Sequence, residues 1–198
     1  MNLPNKIARF LLSLRYKVKL KNKEILKIKK PTLFLANHVS HTDPQILVTQ
    51  IFRWQKVSPV VENNFYDTPI LNTFFKKIKA VRIPETTNFK QKNRKNIEKA
   101  LEEIRKKLIQ GENVLLYPSG QIAGQGQEFL FGKKSTFNIL QNFPPQSRVV
   151  GVRILGLWGS IFLVLGMVEL LILFLMFYVV FFILLLILFF SFLKEKLP

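Results

Sequence analysis

The sequence has no cysteine, only 2 histidines, and 12 acidic residues against 30 basic ones. Without cysteine, disulfides, thiolate–metal ligation and covalent catalysis through a thiol are all excluded. The histidines, His38 and His41, do not complete a metal-ligand set by themselves, and no H-E-x-x-H pattern accompanies them, so no metal or other cofactor is expected. A G-x-S-x-G elbow is missing as well, which removes the usual serine nucleophile of the α/β-hydrolases. There is no sign of a secretory leader: the apolar run Ala8–Leu14 is short, is broken by Arg9 and Ser13, and precedes no small-residue cleavage site. Internal repeats and low-complexity linkers are also wanting, and 198 residues suit one main domain.

The shortage of acid leaves a formal charge of +18, and ten of the Lys/Arg residues lie between Lys6 and Lys30, where Glu24 is the only acid. Such a cluster suits a polyanionic partner: nucleic acid, an anionic lipid surface or an acidic substrate. A solvated lysine-rich surface is the plainer explanation. Nucleic acid is not the expected partner, because neither RNP aromatics nor a zinc-finger pattern is present.

The chain alternates strand and helix signals. Ile7, Phe10, Leu11 and Leu14 recur at helical spacing with Lys6, Arg9 and Arg15 beside them. This predicts an N-terminal basic amphipathic helix over 1–15, suited either to a membrane interface or to packing on the domain. "RYKVKLKNKEILKI" alternates like two strands around a turn, and "TLFLAN" reads as a compact buried strand. "DPQILVTQIFRW" reads as a helix with Asp43 as N-cap and Pro44 at its first position. Strand "VSPVVE", helix "TPILNTFFKKI" and strand "KAVRI" follow. From about Asn88 to Gln110 the stripe Ile97, Leu101, Ile104 and Leu108 predicts a long helix closed by Gly111. "NVLLYPSG", "KKSTFNILQN" and "RVVGVRILG" read as strand, helix and strand. The fold class is therefore α/β, a mixed sheet flanked by helices.

The apolar content is concentrated at the end of the chain. Leu170–Phe190 carries no charge and has about the 20 residues a membrane-spanning helix needs. The expected organisation is the N-terminal helix over 1–15, a domain over 16–160 and a hydrophobic membrane segment over 161–193. The basic excess ahead of that segment would hold the domain on the cytoplasmic face.

Chemistry is concentrated in "FLANHVSHTDPQ", Phe34 to Gln45. Capping alone explains an aspartate before a proline. Alternatively, His38 is a general base whose imidazole is oriented by the Asp43 carboxylate, which fixes the tautomer and stabilises the imidazolium that forms. A carboxylate has two oxygens, so one reading does not exclude the other. With no internal nucleophile evident, the proton taken would belong to the substrate, such as an alcohol attacking an activated acyl group. His41 reads as a surface or supporting residue.

The order of blocks resembles the glycerophospholipid acyltransferase family, which includes the lysophosphatidic acid acyltransferases. "NHVSHTDP" matches its first block, N-H-x-S-x-x-D, and "LLYPSGQIAGQG" stands where the family has phenylalanine-proline-glutamate-glycine-threonine. "FFKKIKAVRIP" and "RVVGVRILG" occupy the places of the second and fourth blocks. The resemblance covers roughly Tyr16 to Ser160. It implies transfer of an acyl chain from coenzyme A or acyl carrier protein to the hydroxyl of a glycerol lipid, with His38 as base and Asp43 as its partner. It also implies a substrate-binding set of Asn37, Ser40, Arg82, Pro118, Ser119, Gly120 and Gln121, with membrane lipids and the acyl donor as partners. Ser119 replaces the family's glutamate, Gln121 its threonine and Lys79 an expected glycine, while Arg82 stands out of the register of the second-block arginine. "YPSGQ" and "GLWGS" resemble acyltransferase domains joined to acyl-activating ligases in some bacteria, which implies a lysophospholipid other than lysophosphatidic acid as acceptor. The long apolar tail is foreign to the family. A reading-frame shift near Ser160 would explain it, and would leave a truncated, non-catalytic membrane-anchored remnant as the alternative function.

Overall fold

The computed structural model describes residues 3–84, 91–123, 134–157 and 181–182. Met1–Ile161 form one compact unit and Phe162–Pro198 a second. Of the second unit only Phe181 and Phe182 are described, and both are helical. The expected membrane segment otherwise lies outside the described residues. Among the described residues no helix is long and apolar enough to cross a membrane.

The first unit is built on a five-stranded sheet. β1 (Thr32–Ala36), β2 (Ser58–Glu62), β3 (Val81–Ile83), β4 (Val114–Leu116) and β5 (Arg148–Val152) stand in the order β3-β2-β4-β1-β5. Every pair is parallel. This corrects the expected mixed sheet. β1 and β4 are apolar without alternation because both their faces are covered, as parallel strands require. β1 lies between β4 and β5, with Leu35 level with Leu116 on one side and Gly151 on the other.

The lysine-rich segment after the first helix adds no strand to the sheet. Its period-2 pattern suggests a hairpin, but residues 16–20 form no strand, and Lys23–Lys27 coil into a 3₁₀ turn entered through Asn22 in the left-handed region at φ 53°. Leu26 and Leu20 bury against the core from this segment. The turn is held by Arg148, whose guanidinium donates to the carbonyls of Ile25 and Ile28 and to Thr32 Oγ1. A buried leucine and three hydrogen bonds from one arginine outweigh the weak preference of an alternating lysine pattern for extended chain.

Helices cover both faces. α1 (Leu3–Arg15) packs on α2 (Asp43–Ile51), and α2 lays Leu47, Val48 and Ile51 on Phe34, Ala36, Leu115 and Tyr117. The short α3 (Asn63–Tyr66) and α4 (Pro69–Lys77) lead from β2 to β3. On the opposite face, α5 (Gln91–Ile109) applies Ala100, Leu101, Ile104 and Leu108 to Leu33, Val81, Val114 and Leu116, with Ile139 of α6 (Ser135–Gln141) beside them. The stripe read from the sequence is thus the buried face of α5, and Gly111 ends it with φ +85°, a conformation glycine adopts without strain.

α1 packs on the domain, one of the two settings expected of it. Leu12 is buried, and Asn5 Nδ2 donates to the carbonyl of Thr49 on α2. The predicted apolar stripe, however, faces outward: Ile7, Phe10 and Leu14 are exposed, Phe10 to 63%.

Candidate active site

The parallel register brings the carboxyl ends of β1 and β4 side by side, the position at which open α/β sheets place their sites. The loop after β1 begins with Asn37. Its amide is engaged at both ends with the main chain after β5: Nδ2 donates to Ile154 O at 2.9 Å, and Oδ1 accepts from Ile154 N at 2.6 Å. Asn37 thereby extends the β1–β5 pairing by one side chain.

His38 and Asp43 are joined. His38 Nδ1 lies 3.1 Å from Asp43 Oδ2, with the imidazole side chain 16% exposed and the carboxylate fully buried. The same oxygen accepts from Val39 N at 2.6 Å and Ser40 N at 2.9 Å. The loop is tight because Asp43 N donates to Ser40 O and Thr42 N to Ser40 Oγ, so the buried Ser40 shapes the turn. Two successive amides therefore converge on one carboxylate oxygen, and these hydrogen bonds offset the desolvation of a buried charge. Asp43 is not the N-cap. Thr42 occupies that position, Asp43 is the first helical residue, and Pro44 follows in the first turn. The carboxylate reaches back over the loop instead of capping forward. His41 is exposed.

The loop after β4 closes over this pair. Ala123 N donates to His38 O at 2.7 Å. Gly120, at φ +56°, donates its N–H to Tyr117 O and makes the turn. Ser119 is buried and donates through Oγ to Gln121 O at 2.9 Å, while Pro118 is partly buried and Gln121 exposed. The third-block residues Pro118 to Gln121 are thus brought to the loop of His38. Tyr117, unremarked in the sequence beyond its place in a strand, lies with its ring centroid 4.4 Å from that of His38. Burial, and then the negative charge of Asp43, push its hydroxyl pKa well above the ordinary phenol range.

Arg82 is not gathered with the rest. It stands on β3, with β2 and β4 between it and β1, about 14 Å away at ordinary strand spacing. Its guanidinium is paired with Asp67 at 2.5 Å and lies 4.8 Å over the Tyr66 ring. The register sets Arg82 opposite Val61 of β2. Lys79, where the second block has glycine, takes the left-handed conformation at φ +55° that glycine would favour. Among the described residues no group of His, Asp or Glu has the makings of a metal site.

A family model described as Acyltransferase matches residues 17–157. No curated protein matches the sequence. Among solved structures, the chain is similar to the crystal structure of the 1-acyl-sn-glycerophosphate (LPA) acyltransferase, PlsC, from Thermotoga maritima. The TM-score is 0.53 at 15% identity, over 75% of this chain and 64% of that one. This likeness is one of fold, and the chain spans less than two thirds of that enzyme's length. With the family model covering the sheet, both loops and the His38–Asp43 pair, the chain belongs to the Acyltransferase family, whose glycerophospholipid branch its sequence blocks resemble.

Proposed function

We propose that this protein moves a fatty acyl chain from a thioester, acyl-CoA or acyl carrier protein, to the hydroxyl of a lysophospholipid or glycerol phosphate lipid. The observation that carries the reading is the 3.1 Å contact between His38 Nδ1 and the buried Asp43 Oδ2. An imidazole that donates from Nδ1 to a carboxylate holds its lone pair at Nε2. In this reading Nε2 takes the proton of the acceptor hydroxyl as its oxygen attacks the thioester carbon. The buried carboxylate stabilises the imidazolium. Collapse of the tetrahedral intermediate breaks the C–S bond, and the proton passes from Nε2 to the departing sulfur.

The loop of Pro118 to Gln121 is the proposed neighbour of the substrate, with Gly120 allowing the backbone to approach. Asn37 and Ser40 serve the site by holding the His38 loop, and Arg82 serves the acceptor's phosphate end only in a substrate that reaches across to β3. No cofactor is required by this chemistry. The protein is proposed to work at a membrane: Ile7, Phe10 and Leu14 form an exposed apolar stripe on a helix flanked by Lys6 and Arg15, and each basic residue near an anionic leaflet contributes about 1 kcal/mol. The uncharged run Leu170–Phe190 would anchor it, with the domain of residues 16–160 on the cytoplasmic side.

The test is lipid mass spectrometry on membranes containing the protein, supplied with labelled acyl donors and a panel of lysolipids, beside His38→Ala. General-base assistance is typically worth about 10²–10⁴ in rate, and a loss of that order is expected. Equal turnover by both proteins refutes the proposal and leaves a lipid-binding domain without this chemistry.

A further inference from the structure

The two oxygens of Asp43 are treated very differently. Oδ2 accepts from His38, Val39 and Ser40. Oδ1 is buried and has no hydrogen-bond partner among the described residues. A buried carboxylate oxygen with nothing to accept is costly, and native proteins rarely leave one so. The hydroxyl of Tyr117 is in the same condition, buried and without a partner among the described residues. The two groups are chemically complementary: an ionised carboxylate only accepts, and a phenol has one proton to donate. They also flank the same imidazole, Asp43 at Nδ1 and Tyr117 with its ring 4.4 Å from the imidazole centroid and tilted by 32°. Burial, and then the charge of Asp43, hold the phenol protonated, so the proton is present to be donated. The corresponding position of the third sequence block carries phenylalanine, so the hydroxyl is an addition of this chain.

We propose that Tyr117 is a positioning residue for His38: its hydroxyl donates through one bridging water to Asp43 Oδ1, while its ring braces the imidazole. The inference rests on the reading of His38 as base and Asp43 as its partner. The bond would fix the carboxylate against rotation, keeping Oδ2 on Nδ1. By sharing the carboxylate's charge, it would also keep the bridging proton on the imidazole and not on Asp43.

Tyr117→Phe removes the hydroxyl and keeps the ring. The full-length protein is labelled with ¹⁵N-histidine and the Nδ1 proton resonance of His38 recorded, with the exposed His41 as internal reference. Loss of the donor makes Asp43 the stronger acceptor, so the His38 resonance moves downfield while that of His41 stays. Acyl transfer falls about tenfold in kcat, the size set by one hydrogen bond to a charged group, with KM changed by less than about twofold. In an Asp43→Asn background the same substitution brings no further loss. Incorporating fluorotyrosine into the wild-type chain, which makes the phenol a better donor without changing its shape, moves the resonance upfield and serves if Tyr117→Phe does not fold. A His38 resonance unmoved by either change overturns the inference, as does an equal kcat loss with and without the Asp43 carboxylate. The resonance is read without turnover, so failure of the acyltransferase reading, seen as full activity in His38→Ala, is distinguishable from failure of this one.

Discussion

Replacing Asp43 by asparagine separates its observed structural task, holding the loop, from the catalytic one proposed for it. If the amide oxygen takes the place of Oδ2, it still accepts from His38 Nδ1, Val39 N and Ser40 N, so the loop keeps its shape. What changes is charge. A hydrogen bond to a charged group contributes roughly 1.5–3 kcal/mol and a neutral one roughly 0.5–1.5, so three bonds lose about 3 kcal/mol together. The gain from no longer burying a charge offsets part of this. A net loss of about 1–3 kcal/mol leaves a domain of ordinary stability, about 5–15 kcal/mol, almost wholly folded. In the proposed mechanism catalysis has no such reserve, because an amide does not stabilise the imidazolium that would form when His38 takes the hydroxyl proton. We therefore expect kcat to fall by about 10²–10⁴, while urea denaturation followed by circular dichroism shows a folded protein with an unchanged m-value. The reasoning is refuted if activity declines only in proportion to the unfolded fraction, because Asp43 would then be a structural anchor and nothing more.

Two further predictions concern stability. Lys79 takes a left-handed conformation that costs a non-glycine residue about 1–2 kcal/mol, and its ion pair with Glu112 is largely exposed and worth at most about 1 kcal/mol. Lys79→Gly is thus expected to be neutral or to stabilise by up to about 1 kcal/mol in urea unfolding, with Glu112 retaining Lys107 at 3.0 Å; a larger loss would show that the pair outweighs the strain. The second follows from the raised pKa of Tyr117. Below the ordinary phenol value of about 10 both folded and unfolded states hold the proton and stability is intact; above it only the unfolded chain releases the proton, so stability falls with rising pH by up to about 1.4 kcal/mol per unit. Comparing wild type with Tyr117→Phe at pH 9 and 11 isolates that slope, and identical slopes would contradict the burial of the phenol.

Long elements with one dominant pattern were legible in the sequence. The stripe of α5 and the unbroken apolar runs of β1 and β4 reflect burial along a whole face, which period alone reveals. The segment after α1 misleads because its alternation is one of lysines with few apolar residues, and it coils around a single buried leucine and Arg148. The pairing of His38 with Asp43 could be argued from spacing and residue type. The backward reach of the carboxylate could not, since Asp-Pro at a helix start looks the same whether the side chain caps forward or accepts from the loop behind it. Tyr117 is not legible in the sequence, because its ring contact is with a neighbour across the sheet, 79 positions earlier in the chain. The signal available was an aromatic residue at a strand end directly before Pro-Ser-Gly, in the block that adjoins the histidine loop.

The parallel pairing of β1 with β4 and β5 has a consequence for how the protein acquires its activity. His38 and Asp43 are five positions apart and meet as soon as their loop and helix form. The walls around them come from segments roughly eighty to one hundred and fifteen residues further on, through Tyr117, Ala123 and the Ile154 backbone. Closing such long loops precedes any reward from the contacts they bring, which slows folding of sheets joined this way. The proposed reactive pair is therefore expected to assemble early and to stand incomplete until the last strand docks, so recovery of turnover after dilution from denaturant should lag behind the return of helix.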